Sequence, residues 1–503
     1  MAAKNDGRSI EQLETAPTHS ANNSLKDFEV AQGPQIDTDA EKKLRRKIDL
    51  YIVPLVAVLY LFCFIDRTNI GNARLANFEQ DLGLKGNDYN LVLSVFYITY
   101  AIFETPATLL CKVMGPGWFI PATTLLFGVC TVGTAFVETK AQIIACRALL
   151  GIFEAGMLPG IAYYLSRWYR RAELAWRLGM YMVMAPLAGA FGGLFASGIL
   201  SLDRFGSLTE WRMIFGIEGI ITIGLGLITL ALLTDNPATA RWLSEDEKTL
   251  ALDRVKSERV AQDRVLDKMS VAKLKMGLLN PITLSTAFIF LLSNIVVLGI
   301  SFFLPTIVRT IYPEETRVQQ QLLTVPPYIV ASVFLLASSW LATRFDTRQI
   351  FLFFSGPSVM VGYAMLLKST DPNVRYAAIF LTASCAFFAG SLSNAQVSAN
   401  TVSDTARNMA ISTNSMSGYL GGLIATWTYL PWDGPMYPIG NGLNLAVSAV
   451  ISITSLTFLW WMKADNKRRD AKTRVEREEE LAGLTQEQIS GLEWKHPDFR
   501  WKP

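Results

Sequence analysis

The feature that most constrains this chain is a series of about twelve apolar runs of bilayer-spanning length, repeated from end to end. In the first half they fall near 48–70, 89–112, 117–137, 141–166, 176–202 and 211–234. In the second half they fall near 281–309, 320–343, 347–368, 374–401, 407–430 and 441–463. Lipid offers no partner for an open backbone, and the runs lack the polar–apolar alternation of barrel strands. The expected fold class is therefore an all-α membrane protein of about 12 transmembrane helices. Composition agrees: 51% of the 503 residues are hydrophobic and 18% are charged, where a soluble chain carries about 25% charged. Mean hydropathy is +0.28.

The runs divide evenly around one long polar insertion. This gives five segments: a polar tail 1–47, a six-helix bundle 48–234, a loop 235–280, a second bundle 281–463 and a tail 464–503. Two six-helix units joined by a long loop are the sequence pattern of a parallel-repeat transporter. Within the loop, Ser244-Glu245-Asp246-Glu247 is a capping-box start to a charged helix that should end near Arg259.

Short-loop cations set the orientation. Lys42, Lys43, Arg45, Arg46 and Lys47 precede span one; Arg167, Arg170, Arg171 and Arg177 follow span four. Arg344 and Arg348 join spans eight and nine, and Lys463, Lys467, Arg468 and Arg469 follow span twelve. Both termini and the loop are expected to be cytoplasmic, which leaves the sequon Asn22-Asn23-Ser24 unglycosylated. No cleavable signal precedes span one.

Several function classes drop out. A net charge of +3 is too small to argue for a nucleic-acid partner. The cysteines Cys63, Cys111, Cys130, Cys146 and Cys385 lie in or beside apolar runs without a CxxC pair, so neither a disulfide framework nor a zinc site is indicated. No nucleophile–base pair, metal cluster or phosphate loop marks an enzyme, and no cofactor is expected. His19 and His496 lie in the tails, so proton chemistry inside the membrane falls to carboxylates.

Charges placed in the spans carry the functional signal, because each costs on the order of 3 kcal/mol at the bilayer centre. Asp66 and Arg67 lie in span one; Tyr97, Tyr100 and Glu104 in span two, spaced i, i+3, i+7 on one helix face. Arg147 and Glu154 lie two turns apart in span four, and Glu218 near the start of span six, where an interfacial position is one reading. These charges read either as ion pairs that fix packing or as a cavity with an anion-binding arginine and proton-accepting carboxylates. Binding of an anion to the arginine would favour protonation of a neighbouring carboxylate, which is a route to coupling the two. The second half offers neutral groups instead: Asn294, then Ser391, Asn394, Ser398 and Thr401, then Ser412, Asn414, Ser415 and Tyr419, then Asn441 and Asn444. Such groups are either interhelical glue or a polar wall for a solute. Gly189, Gly192, Gly193, Gly198, Gly418, Gly421 and Gly422 permit close helix approach, and Pro106 and Pro159 should bend spans two and four.

The run Asp66-Arg67-Thr68-Asn69-Ile70-Gly71-Asn72-Ala73-Arg74-Leu75 resembles the span-one signature of the anion:cation symporter branch of the major facilitator superfamily. With Tyr97–Pro106, Arg147–Gly160, Tyr164–Tyr169, Leu322–Tyr328 and Gly440-Asn441, it looks more narrowly like the fungal allantoate, nicotinate and pantothenate permeases. The resemblance covers about 45–465 and implies proton-coupled uptake of a small organic anion by a plasma-membrane protein functional as a monomer. An exporter of an acidic metabolite and a nutrient sensor share the fold and remain open, as does an internal membrane. The resemblance implies proton sites at Asp66 and Glu154, substrate contact near Arg67 and Tyr100, and Arg147 as partner of Glu154. It extends less closely to amide contacts at Asn294 and Asn414. Tyr97, on the helix face of Tyr100, and Asn394, in the polar set of span ten, are further candidates for substrate contact. Two departures stand out. Phe64 occupies a position that is tyrosine in sugar-acid relatives, which suits a less hydroxylated cargo. The loop Cys111–Gly117 lacks the aspartate and arginines of the general superfamily motif, while Arg344, Asp346 and Arg348 keep a remnant in the second half.

Overall fold

The computed structural model describes residues 38–170, 173, 177, 180–263, 271–345, 347–485, 488–489 and 492–503. Arg171, His19, Asp346 and the 22–24 sequon lie outside the described residues. Twelve long helices form the body: α1 Thr38–Arg74, α2 Asp88–Met114, α3 Pro116–Thr134, α4 Lys140–Ser166, α5 Met184–Leu200 and α6 Trp211–Leu232, then α7 Pro281–Ile311, α8 Val325–Phe345, α9 Arg348–Lys368, α10 Pro372–Ala399, α11 Asp404–Ala425 and α12 Pro438–Asp470.

Eleven of the described helices are long and apolar enough to span a bilayer; α11 is not among them. Its sequence carries Ser412, Thr413, Asn414, Ser415 and Ser417, which pull its hydropathy down. The helix is sheltered instead by packing against α7, α10 and α2. Asn414 is buried among these neighbours, and the Thr413 and Ser417 hydroxyls donate to carbonyls one turn earlier in α11 itself.

Proline explains the break in α4. Residues Lys140–Glu154 and Met157–Ser166 are separate helical pieces. Pro159 lacks the N–H that would bond the carbonyl of Ala155, four residues earlier, so the ladder fails there. Pro106, by contrast, lies within a continuous helix assignment in α2.

The helices of each six pack on one another, and the two sixes meet along three seams: α1 with α7, α2 with α11, and α5 with α8. Small residues set the approach. A side chain on Gly71 would meet the Phe302 carbonyl oxygen at 2.6 Å, and one on Gly422 would meet the Tyr97 ring at 2.5 Å.

Hydrogen bonds across the seams concentrate at the end where α1, α5, α7 and α11 finish. Asn90 donates to the carbonyls of Thr426 (2.5 Å) and Tyr429 (3.3 Å), and Ser94 meets both the Thr426 hydroxyl and the Trp427 indole N–H at 2.8 Å. Gln321 donates to the Asn72 carbonyl at 3.0 Å, and Arg317 reaches Glu210 at 3.2 Å. Toward the other end, the last such link among the described residues is Tyr419 to Glu104, 2.9 Å.

At that end, ionic ties join the helices to the segment between α6 and α7. The capping box on Ser244 and Glu247 forms as expected, starting a helix that continues to Asp263 rather than ending near Arg259. Lys47 and the Ser244 N–H hold the Glu247 carboxyl below the usual glutamate range. Arg254 binds both Glu41 and Glu173. The charge missing from the α2–α3 loop is supplied from elsewhere: Asp235, just after α6, accepts from the Gly117 N–H at 3.2 Å and pairs with Arg167 at 3.1 Å.

The C-terminal segment departs from the expectation of a purely polar tail. Helix α12 runs to Asp470, past the expected end at 463. Trp501 is buried among Phe458, Trp461, Trp494 and Phe499, and the Lys502 carbonyl accepts from both Gln396 and Asn400.

Candidate functional site

The site is built where α1, α2 and α4 face the second six. Arg67, near the closed end of α1, is buried to 8% exposure, and its Nε and Nη2 both donate to Oε1 of Glu154 at 3.1 and 2.7 Å. The Cys63 thiol, one turn earlier on α1, donates to the same oxygen at 2.9 Å. Three rings surround the guanidinium: Phe64, Phe96 and Tyr100, with centroids 5.1–5.5 Å away. Aromatic faces stabilise a planar cation at modest energy without competing for its N–H groups. Phe64, singled out in the sequence as a departure, is thus part of the cage.

The structure corrects the expected pairing. Arg67, not Arg147, is the partner of Glu154. Arg147 instead donates from Nη1 to the backbone carbonyl of Arg67 at 3.3 Å and lies over the Phe215 ring. Two turns of α4 separate Arg147 from Glu154, too far for the side chains to close once Glu154 is drawn to α1.

Tyr97 and Tyr100 lie on the seam as their spacing requires. The Tyr97 ring packs edge-on to Phe302 of α7, and among the described residues its buried hydroxyl has no hydrogen-bond partner. Tyr100 contacts the Tyr419 ring at 4.7 Å, and Tyr419 donates to half-buried Glu104. An anionic group bound by Arg67 would therefore find an unengaged phenol beside it.

Two of the second-half amides bond to each other. Asn414 donates to Asn394 at 3.1 Å, and its own oxygen accepts from Thr286 at 3.4 Å. These two amides hold α7, α10 and α11 together, and no described contact joins them to Arg67. Asn294 is eight residues beyond Thr286 on α7, about 12 Å along the axis. Its amide donates back to the Phe290 carbonyl at 2.8 Å while its side chain stays half-exposed beside Gly418 and Gly421. Asn394 is likewise half-exposed, whereas Asn414 is buried.

Asp66 points away from Arg67, toward α6, where Thr222 donates to its Oδ2 at 3.1 Å. Glu218 is 3% exposed and bonded by Asn69, so it is a core residue rather than an interfacial one. Sequence reading missed this because a residue seven positions into a helix that begins at a loop looks peripheral. The signal was present in Asn69, which shares the helix face of Asp66 at i+3.

Comparison with known proteins places this geometry. Residues 56–426 match the Major Facilitator Superfamily. An uncharacterized transporter of Schizosaccharomyces pombe is 30% identical over 445 residues, 88% of this chain and 91% of that protein. The high-affinity nicotinic acid transporter of Saccharomyces cerevisiae is 30% identical over 462 residues, 92% of this chain and 85% of that protein. Among solved structures, the inward-facing, unoccupied form of a bacterial homologue of the human lysosomal transporter Spinster superposes with a TM-score of 0.63 at 16% identity. It covers 81% of this chain and 97% of that one, a likeness of fold alone. The twelve-helix body in two sixes and the match over most of its length lead to one conclusion: this chain is a membrane transporter of the Major Facilitator Superfamily.

Proposed function

We propose that the chain takes up a small organic anion together with protons, the anion binding at Arg67. One observation carries the reading: a buried, aromatic-caged guanidinium at the seam whose carboxylate partner is a single oxygen of Glu154. While Glu154 is ionised it occupies the two N–H groups that an incoming carboxylate needs. A proton on Glu154 weakens that pair, because charge-assisted bonds are roughly twice as strong as neutral ones. Proton and anion therefore arrive together, and neither is held tightly alone. Release follows when the sixes part and water reaches the site.

The cargo proposed is a compact monocarboxylate or a nitrogen-rich anion of nicotinate, pantothenate or allantoate type. The similarity to a nicotinic acid transporter supports it, as do the ring-lined cage and the Asn294 amide. The positive loops support a plasma-membrane protein with both termini in the cytoplasm. One co-transported proton cancels the charge of a monoanion, whose entry otherwise costs about 2.3 kcal/mol per 100 mV. The test is uptake by cells expressing the chain, screened over nicotinate, pantothenate, allantoate and dicarboxylates at two pH values. Accumulation should rise at the lower external pH and collapse with a protonophore. Accumulation that survives loss of both the proton gradient and the membrane potential would refute the coupling.

A further inference from the structure

The membrane-embedded charges of the first six do not balance. Three carboxylates, Asp66, Glu154 and Glu218, and two guanidiniums, Arg67 and Arg147, are each at most 8% exposed. Arg67 and Glu154 neutralise each other. That leaves two carboxylates facing one cation, and an isolated buried charge is costly enough that such groups neutralise instead.

Geometry says which groups carry the surplus. Asp66 of α1 and Glu218 of α6 face each other through reciprocal bonds: Thr222, one turn beyond Glu218, donates to Asp66, and Asn69, one turn beyond Asp66, donates to Glu218. Among the described residues no donor reaches the buried Oδ1 of Asp66 or Oε1 of Glu218, and no acceptor meets the buried Nη2 of Arg147. The other titratable groups facing this cluster are Glu154 of α4, Cys63 of α1, Cys130 of α3 and Tyr89 of α2. Two carboxylates in contact cannot both ionise beside a single cation; one proton between them satisfies the contact and the charge.

We infer that Asp66 and Glu218 form a carboxyl dyad that holds one proton in this state, making Glu218 a proton-binding residue of the transporter. The dyad has a direct line to the seam. Asn69 donates to Glu218, Asn72 donates to Asn69 at 2.8 Å, and the Asn72 carbonyl accepts from Gln321 of the opposite six at 3.0 Å. Parting the sixes at that end breaks the Gln321 bond and frees the chain of amides that orients Glu218. The dyad proton is thus placed to respond to which end is closed. This deepens the proton-coupled reading, but its test needs no substrate and stands apart from uptake.

Infrared spectroscopy of the purified full-length protein at neutral pH, without added anion, reads protonated carboxyls directly through their C=O band. The parent should show a buried-carboxyl band. Glu218→Gln and Asp66→Asn should each abolish it, because the remaining carboxylate ionises against Arg147. Glu154→Gln should retain it. Absence of the band in the parent overturns the inference whether or not any variant folds. Its persistence in both dyad variants, or its loss only in Glu154→Gln, places the proton elsewhere and overturns the inference equally.

Discussion

Glu154→Gln isolates the competition at Arg67. In the parent, Oε1 of Glu154 accepts two guanidinium N–H bonds, at 3.1 and 2.7 Å, plus the Cys63 thiol. The glutamine amide keeps an acceptor in nearly the same place but removes the charge. Hydrogen bonds to charged groups contribute about 1.5–3 kcal/mol, roughly twice neutral ones. Displacing the amide should then be easier by about 2 kcal/mol, corresponding to about 30-fold tighter anion binding at a pH where Glu154 is ionised. Arg67 in the variant is also a buried cation without its counterion, a change that costs about 3–5 kcal/mol when one partner of a buried pair is removed. The empty variant should therefore melt earlier and regain stability when anion is added. Binding is measured by calorimetry on purified protein, using whichever screened anion the parent accumulates. Weaker or unchanged binding in Glu154→Gln would refute the argument that Glu154 and the anion share Arg67.

Arg67→Lys keeps the charge but loses the planar fork and its fit to the Phe64, Phe96 and Tyr100 cage. Losing one charge-assisted bond of about 1.5 kcal/mol should raise the apparent KM at least ~10-fold at normal surface expression, and an unchanged KM would rule out direct contact. Gly422→Val should cut uptake severely, because the new side chain enters the Tyr97 ring at the seam; parent-level uptake would show that α2 and α11 need not approach so closely. Trp501→Ala should lower the melting temperature of purified protein, since truncating a buried tryptophan costs about 3–5 kcal/mol; an unchanged melting temperature would show that the terminal cluster contributes nothing to stability.

Much of this protein is legible in its sequence because lipid imposes a simple rule. A span must be helical, apolar and of bilayer length, so the number of helices and their approximate bounds follow from hydropathy alone. The rule also exposes the functional residues: a charge retained at membrane depth stands out, which is how Asp66, Arg67, Arg147 and Glu154 come to notice. Helix α11, expected over 407–430, forms over Asp404–Ala425 although its polar residues lower its hydropathy. Partner choice lies beyond any one-dimensional pattern. Heptad spacing puts Arg147 and Glu154 on one face of α4, yet Glu154 meets Arg67 across helices while Arg147 turns to a backbone carbonyl. Spacing likewise aligns Asn394 with a polar stripe but leaves open that Asn414 would satisfy it. The sequence determined which residues are too costly to bury without a purpose, since that cost depends on residue type and depth. Only the tertiary structure decided which of them neutralise one another, because an ion pair or a shared proton depends on ångström distances between helices far apart in the chain.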